Sequence, residues 1–342
     1  MSAYLNTRVT LFSSQLWAAE NFSALIDTPV EDMADTLGAR GLPQLAAGFD
    51  SLDNRSLEQR IIARLLEETT VLIRPLTGVE RDFLTYWTER FEVTNVKTLL
   101  RGKMTGERPA ALLGRLTPMG SFGRLDIQDL SHAEDVNELL RRLEAGPYAA
   151  IVRQARRAFE ESHDPFILDA ALDRGYYEGL AQRALPLEAA AGVSFRRLMG
   201  ALIDRINLVW LLRYRFNYSL PPAQVYFLLV GSRYSLSSAR LRELAALASL
   251  DEVLAALPSP LRESMDGVHE IPRVFARMER AAAASADKVL RSGAPAIARA
   301  FAYLLLRERD LRAVRAVLRG RLLGLPAADI RLAMYQANGG SA

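Results

Sequence analysis

A stretch of sequence that occurs three times constrains the fold of this chain most. Residues 91–103 align without a gap with residues 203–215, and a third copy closes at residues 310–321. Repetition on this scale indicates that the chain is built from tandem copies of one unit. We therefore predict three similar helical domains and a disordered, glycine-rich tail. The predicted bounds are 1–113, 114–225 and 226–335 for the domains and 336–342 for the tail.

Each copy carries an apolar stripe that predicts a long helix. The stripe begins with Phe83, Phe195 and Phe301 in the three copies, and further side chains follow at intervals of four. This spacing places the side chains on one face of a helix that packs against its neighbours. Good helix formers dominate the composition, and no sustained alternation of β-branched residues is present. The predicted fold class is all-α, either a body with pseudo-three-fold symmetry or a linear array.

Two asparagines interrupt this stripe, and they have two interpretations. Asn95 and Asn207 occupy equivalent positions in the first and second copies, whereas the third copy has Ala313 there and Arg309 one turn earlier. Each asparagine could serve a functional site, or it could bridge backbone groups in the core. Because a buried polar group needs hydrogen-bond partners, we favour the structural interpretation.

The composition argues against several classes of enzyme. The chain has no cysteine, which excludes disulfides, thiolate catalysis and cysteine-based metal sites. Its three histidines, His132, His163 and His269, lie in polar, loop-like contexts, and none has a second histidine at ligand spacing. Phosphate-binding and dinucleotide-binding glycine motifs are also missing. We expect no catalytic residue, no cofactor and no metal, and hence a protein that is not an enzyme.

Charge and hydropathy predict a soluble protein. Many of the arginines lie three or four residues from a carboxylate, which is typical of an ion-paired helical surface rather than a nucleic-acid patch. The first residues lack the apolar segment of a secretory signal. The longest apolar runs fall far short of the roughly 20 residues that span a bilayer, so we expect no direct membrane insertion.

Every copy of the repeated helix ends in a pair of basic residues. These pairs can complement the negative end of the helix dipole. Three equivalent basic pairs could also surround an axial opening and bind acidic residues of a partner. On the second interpretation, the predicted partner-binding residues are Arg101, Lys103, Arg213, Arg215, Arg319 and Arg321.

Motifs spread along nearly the whole chain resemble the C subunits of V-type (A-type) ATP synthases, a family similar to the d subunit of the eukaryotic vacuolar ATPase. No single motif is decisive, but their order and spacing are specific. The third copy departs from the family pattern, since it has Arg309 and Ala313 where a carboxylate-rich start and an asparagine are usual. The motifs lie at residues 4–9, 92–103, 166–177, 204–215, 226–231, 302–310 and 324–326.

The resemblance implies a non-catalytic rotor subunit shaped as a funnel of three helical domains. The implied partners are the central-stalk subunit, held in a socket, and the subunits of the membrane rotor ring. Through these contacts the protein would transmit torque for ion-coupled ATP synthesis or hydrolysis. The implied location is cytoplasmic, peripheral to the inner (plasma) membrane through the ring. The alternative is a free-standing helical scaffold or a nucleic-acid-binding protein.

Overall fold

A computed structural model describes residues 2–46 and 53–337, and over these residues the chain forms helices without any β-strand. The predicted all-α fold class is therefore confirmed. The predicted tail lies outside the described residues, except for its first two positions, which complete the last helix. The α-helices are α1 Ser2–Ser13, α2 Ala19–Asp27, α3 Met33–Ala39, α4 Pro43–Ala46, α5 Asn54–Ile73, α6 Gly78–Met104, α7 Pro109–Leu113, α8 Ile127–Ser131, α9 Val136–Glu144, α10 Ala149–Ser162, α11 Pro165–Leu212, α12 Pro222–Leu228, α13 Ser238–Ala246, α14 Leu250–Ala255, α15 Ile271–Arg291, α16 Ala296–Leu322 and α17 Ala327–Ala337.

The repeated stripe lies on three core helices, which are α6, the second half of α11, and α16. The phenylalanines that begin the stripe, Phe83, Phe195 and Phe301, are completely buried. Helix α11 is kinked at Gly192, whose φ of 66° and ψ of −151° are not helical. Glycine adopts this conformation because it has no Cβ. The kink ends the first part of α11 before the core segment of the second copy begins.

The chain divides into two compact units whose boundaries differ from the predicted copies. One unit consists of Gly78–Leu185 with Leu228–Gly231. The other contains the described parts of Met1–Thr77, Pro186–Phe227 and Ser232–Ala342. Core helix α6 thus belongs with the segments that follow it, whereas the N-terminal helices belong with α16. The three-domain division, the pseudo-three-fold symmetry and the funnel stay predictions.

In the Gly78–Leu185 unit, two tyrosines hold α6 against the first half of α11. The rings of Tyr86 and Tyr176 are parallel, with centroids 5.3 Å apart. The Tyr86 hydroxyl donates to the Tyr176 carbonyl, and the Tyr176 hydroxyl donates to the Trp87 carbonyl, at 3.2 and 3.1 Å. A Cβ on Gly179 would lie 2.1 Å from the Tyr86 hydroxyl oxygen. The close packing of these helices therefore requires glycine at that position.

In the other unit, a buried ion pair joins α5 to α16. The Arg307 guanidinium is completely buried and donates to both carboxylate oxygens of Glu68 at 2.9–3.2 Å. The Tyr303 hydroxyl donates to the same carboxylate at 2.6 Å. Breaking such a pair leaves an uncompensated buried charge, which typically costs about 3–5 kcal/mol. The pair therefore ties an N-terminal helix to a C-terminal one.

The turn after each core helix packs back on the helix end, but the second copy differs. A Cβ on Gly102 would lie 2.0 Å from Leu112, and one on Gly320 would lie 2.6 Å from Ile330, so a larger residue at either position would push these packed side chains aside. The second copy has Tyr214 at the equivalent position. There, residues Arg213–Asn217 form a π-helix, which accommodates an additional residue within a helix.

Candidate functional site

The six predicted partner-binding residues lie where the three core helices end. Arg101 and Lys103 are in the last turn of α6, and Arg319 and Arg321 are in the last turn of α16. In the second copy, Arg213 and Arg215 belong to the π-helix that continues α11. The two members of each pair have different environments.

The second member of each pair binds a backbone carbonyl at the end of a short helix elsewhere in the chain. Ser131 is the last residue of α8, and Leu247 and Thr28 directly follow α13 and α2. A cation at this position complements the negative end of the helix dipole. The three contacts are Lys103 Nζ to the Ser131 carbonyl at 2.7 Å, Arg215 Nη2 to the Leu247 carbonyl at 3.1 Å, and Arg321 Nη2 to the Thr28 carbonyl at 2.9 Å.

A carboxylate on each core helix binds the other end of the same short helix. It lies eleven residues before the cation, at Glu92, Asp204 and Asp310. Each carboxylate accepts hydrogen bonds from backbone N–H groups directly before the helix. The donors are Arg124 and Leu125 to Glu92 at 2.8 and 2.9 Å, Ser235 and Leu236 to Asp204 at 3.1 and 3.0 Å, and Trp17 to Asp310 at 2.7 Å.

We call each arrangement of one carboxylate, one cation and the short helix between them a clamp. Eleven residues make about three helical turns, so the acid and the base lie on one face of the core helix. The bound helix therefore runs parallel to the core helix, with its positive end at the acid and its negative end at the base. The clamps on α2 and α13 span Trp17 to Thr28 and Leu236 to Leu247, whereas the clamp on α8 spans only Leu125 to Ser131.

The carboxylates of the clamps are internal groups. Glu92, Asp204 and Asp310 are 1%, 6% and 0% exposed. Burial raises the pKa of Asp204 to about 6, and the N–H groups of Leu236 and Ser235 only partly oppose this shift. Burial likewise raises the pKa of Asp310, although the neighbouring Arg309 guanidinium acts in the opposite direction. These acids are held by backbone donors and serve the fold.

The first member of each pair is more accessible. The Arg101 side chain is 60% exposed, and its Nε donates to Asp169 at 2.6 Å. Arg213 is half-buried and takes part in an interaction of its own. Arg319 is exposed, and within the described residues its side chain has neither a hydrogen bond nor an ion pair. Arg319 is therefore the member of the set most available to another molecule.

The asparagine of the first copy has the structural role that the sequence favoured. Asn95 is buried, and its Nδ2 donates to the Thr117 carbonyl at 2.8 Å. The Thr117 N–H in turn donates to Asn95 Oδ1 at 2.8 Å. Asn207 is also completely buried. The amide of Asn95 thus fixes the turn that follows α7.

Sequence reasoning missed the acidic half of the clamps. Glu92 and Asp204 lie in motifs that mark the resemblance, but no separate role could be derived for them. The signal that was available is the constant spacing from acid to base in all three copies. Asp310 carries that signal even though the third copy lacks the asparagine.

Two further findings concern the described part of the chain. No group of three or more histidine, cysteine or acidic side chains there is arranged to hold a metal ion. Among the described helices, none is both long enough and apolar enough to span a bilayer.

Comparison with known proteins gives matches along nearly the whole chain. The ATP synthase (C/AC39) subunit family matches residues 5–332. The C subunit of the A-type ATP synthase of Methanocaldococcus jannaschii is 20% identical, over 96% of this chain and 85% of its own length. The corresponding protein of Haloquadratum walsbyi is 26% identical over 96% of both chains. That of Archaeoglobus fulgidus is 23% identical over 97% of this chain and 95% of its own length.

Proposed function

The chain belongs to the ATP synthase (C/AC39) subunit family, and from this membership we propose that it is a non-catalytic rotor subunit of a V-type (A-type) ATP synthase. In this role it holds the central-stalk subunit and rests on the membrane rotor ring. It transmits torque between them during ion-coupled ATP synthesis or hydrolysis. The observation that carries the proposal is the match over residues 5–332, together with relatives that are named as C subunits of A-type ATP synthases and align along most of their length.

The clamps support a mechanical role. A part that transmits torque must resist deformation, and buried charged contacts of defined geometry raise the cost of moving one helix against another. The Asp310 contact to Trp17 and the Arg321 contact to Thr28 hold one short helix at both ends. Each clamp places its acid and its base about 16 Å apart along the core helix. This separation resists rotation of the bound helix as well as displacement.

In this role, the first member of each basic pair makes most of the contact with the stalk or ring subunit. Lys103, Arg215 and Arg321 are already engaged with backbone carbonyls. Arg319 presents an exposed guanidinium, whereas the Arg101 guanidinium is 60% exposed but already binds Asp169. An exposed arginine gives a carboxylate of the stalk or ring a bidentate partner. The location that follows from this proposal is cytoplasmic, peripheral to the membrane through the ring.

The proposal is tested by removing the chain from the complete complex. We expect membranes that lack it to lose ATP-driven ion pumping, while the catalytic head released from them still hydrolyses ATP. Addition of the purified chain should restore pumping, and the chain should co-purify with stalk and ring subunits. The purified chain alone should hydrolyse no ATP.

Three results would contradict the proposal. They are normal pumping without the chain, hydrolysis by the chain alone, or failure to co-purify with both stalk and ring. Binding to DNA or RNA that falls steeply with salt would instead favour the nucleic-acid alternative.

A further inference from the structure

Helix α15 presents a set of four basic residues to solvent. Arg273, Arg277, Arg280 and Lys288 are all exposed, and their spacing of four, three and eight residues places them on one face. We call this set the α15 stripe. It is about 22 Å long at 1.5 Å per residue. The stripe thus places four cations along one exposed face of a single helix.

The carboxylates of α15 itself are not available to neutralise the stripe. Glu279 is buried and accepts hydrogen bonds from Arg205 and Arg312. Asp287 pairs with Arg291 at 2.8 Å. Within the described residues, Arg277, Arg280 and Lys288 have no ion pair, and only Arg273 approaches an acid, Glu270, at 3.7 Å. The exposed face of the helix is therefore strongly positive.

A small groove borders the first half of the stripe. A groove of about 280 Å³ runs between Arg273, Arg277 and Arg280 and the turn at Gly267 and Val268. Beside the cations lie three alanines, of which Ala276 is half-buried and Ala281 and Ala284 are exposed. Small side chains allow a second backbone to approach closely.

A lipid surface is a poorer fit to the stripe. Helices that lie on membranes combine basic residues with large apolar side chains that enter the bilayer. None of the exposed large apolar residues in the described part of the chain belongs to α15. The stripe is also only one residue wide, so it fits an elongated partner such as a helix better than a flat membrane surface.

We propose that the α15 stripe is a docking surface for an acidic α-helix of another protein. The partner helix carries carboxylates on one face, about four, seven and fifteen residues from the first, which pair with the stripe along about four turns. Its backbone lies over Ala276 and Ala284. The inference depends on the proposed function only in that the partner is sought among subunits of the same complex.

The first test uses the purified chain, so it is independent of assembly. The probe is an alanine-based helical peptide with glutamates on one face, and the control peptide has the same composition with its glutamates distributed around the helix. We expect binding of the one-faced peptide, measured by fluorescence anisotropy, to weaken about tenfold or more in Arg277→Glu/Arg280→Glu. The variant Arg40→Glu/Arg108→Glu changes the charge equally at exposed arginines off the stripe, and it should bind as the parent does.

The second test locates the partner in the assembled complex. Arg277→Lys/Arg280→Lys keeps the charge and supplies amines that a zero-length carbodiimide joins to carboxylates in contact. We expect mass spectrometry to find these positions linked to Asp or Glu residues on one helix of another subunit. The matched variant Arg40→Lys/Arg108→Lys should give no such links.

Several outcomes would overturn the inference while leaving the proposed function intact. Equal affinity for the two peptides, or no loss in the charge-reversed variant, would reject the docking surface. An assembled complex without links at the two positions would do the same. Binding to phosphatidylcholine vesicles containing phosphatidylglycerol, abolished by Arg277→Glu/Arg280→Glu, would assign the stripe to lipid instead. A complex that fails to assemble in both lysine variants would count against the proposed function, and the peptide result would then decide the inference.

Discussion

The Asp310 carboxylate accepts a hydrogen bond from the backbone N–H of Trp17 at 2.7 Å, although 293 residues separate the two along the chain. Both groups are buried, at 0% and 4% exposure. The contact fixes the start of α2 to core helix α16. Arg321, eleven residues later, holds the other end of the same helix.

Replacing Asp310 with alanine should release the N-terminal end of α2. The Trp17 N–H would lose its acceptor inside the protein, and Arg309 would lose its partner, so we expect a loss of roughly 2–4 kcal/mol. Hydrogen exchange followed by mass spectrometry should show the peptide containing Trp17 exchanging much faster. Asp266→Ala, at an exposed position, is the matched control. Unchanged exchange at Trp17 would reject the clamp.

The two members of the last basic pair should behave differently. Arg321→Met removes a cation from the C-terminal end of α2 and should lower the free energy of unfolding by about 1–2 kcal/mol. Arg319→Met should change it by less than about 0.5 kcal/mol, because the side chain is exposed and makes no hydrogen bond or ion pair in the described residues. Urea unfolding provides the comparison. In the complex, Arg319→Met should instead weaken retention of stalk or ring, and intact retention would remove Arg319 from the proposed contact.

The turn after α6 should not tolerate a larger residue at Gly102. An added Cβ would lie 2.0 Å from Leu112 Cδ2, and Leu112 is completely buried. We expect Gly102→Ala to destabilise the protein by roughly 1–3 kcal/mol through overpacking. A double-mutant cycle with Leu112→Ala should show that much of this cost disappears when the leucine is shortened.

A matched glycine provides the control for this cycle. Gly38, inside α3, has no atom within 4 Å of a built Cβ and no positive φ. Gly38→Ala should therefore stabilise the protein by up to about 1 kcal/mol. Additive effects of Gly102→Ala and Leu112→Ala would contradict the packing explanation.

The contribution of Asp204 to stability should depend on pH in an unusual direction. Burial raises its pKa from 3.8 to about 6 in the folded protein. Between pH 4 and 6 the folded protein therefore binds more protons at this site than the unfolded chain does. Stability contributed by Asp204 is then present below about pH 4 and falls as the pH rises through this window. The decrease corresponds to about 3 kcal/mol.

The measurement compares the parent with Asp204→Asn, whose side chain does not titrate. The free energy of unfolding of the parent minus that of the variant should fall by about 2.5 kcal/mol between pH 4 and pH 7. A constant difference for Asp204→Asn would contradict the assigned pKa.

Sequence periodicity predicted the long helices well, because the stripe of Phe83, Phe195 and Phe301 depends only on local spacing. The sequence analysis placed the basic pairs at the end of their own helix, whereas Lys103 and Arg321 bind carbonyls at the C-terminal ends of other helices. Which helix each one meets depends on long-range packing, so spacing within one helix could not reveal it.

The sequence pattern also did not predict where the helices depart from regular α-helical geometry. The ungapped alignment of the first two copies conceals that Tyr214 occupies a position where the other copies have glycine. At that position the second copy forms the π-helix Arg213–Asn217. The boundaries of the two compact units are likewise set by long-range contacts, which no pattern of residues within a copy encodes.

The contact between Asp310 and Trp17 has a consequence for how the protein is made. A ribosome releases the first 77 residues early, but their compact unit also needs Pro186–Phe227 and the residues after Ser232. The unit of Gly78–Leu185 is almost contiguous, and domains fold as units during synthesis. The middle of the chain should therefore fold first. The N-terminal helices can complete their packing only after α16 has been synthesised. A chaperone that shields nascent apolar helices would be needed most in that interval.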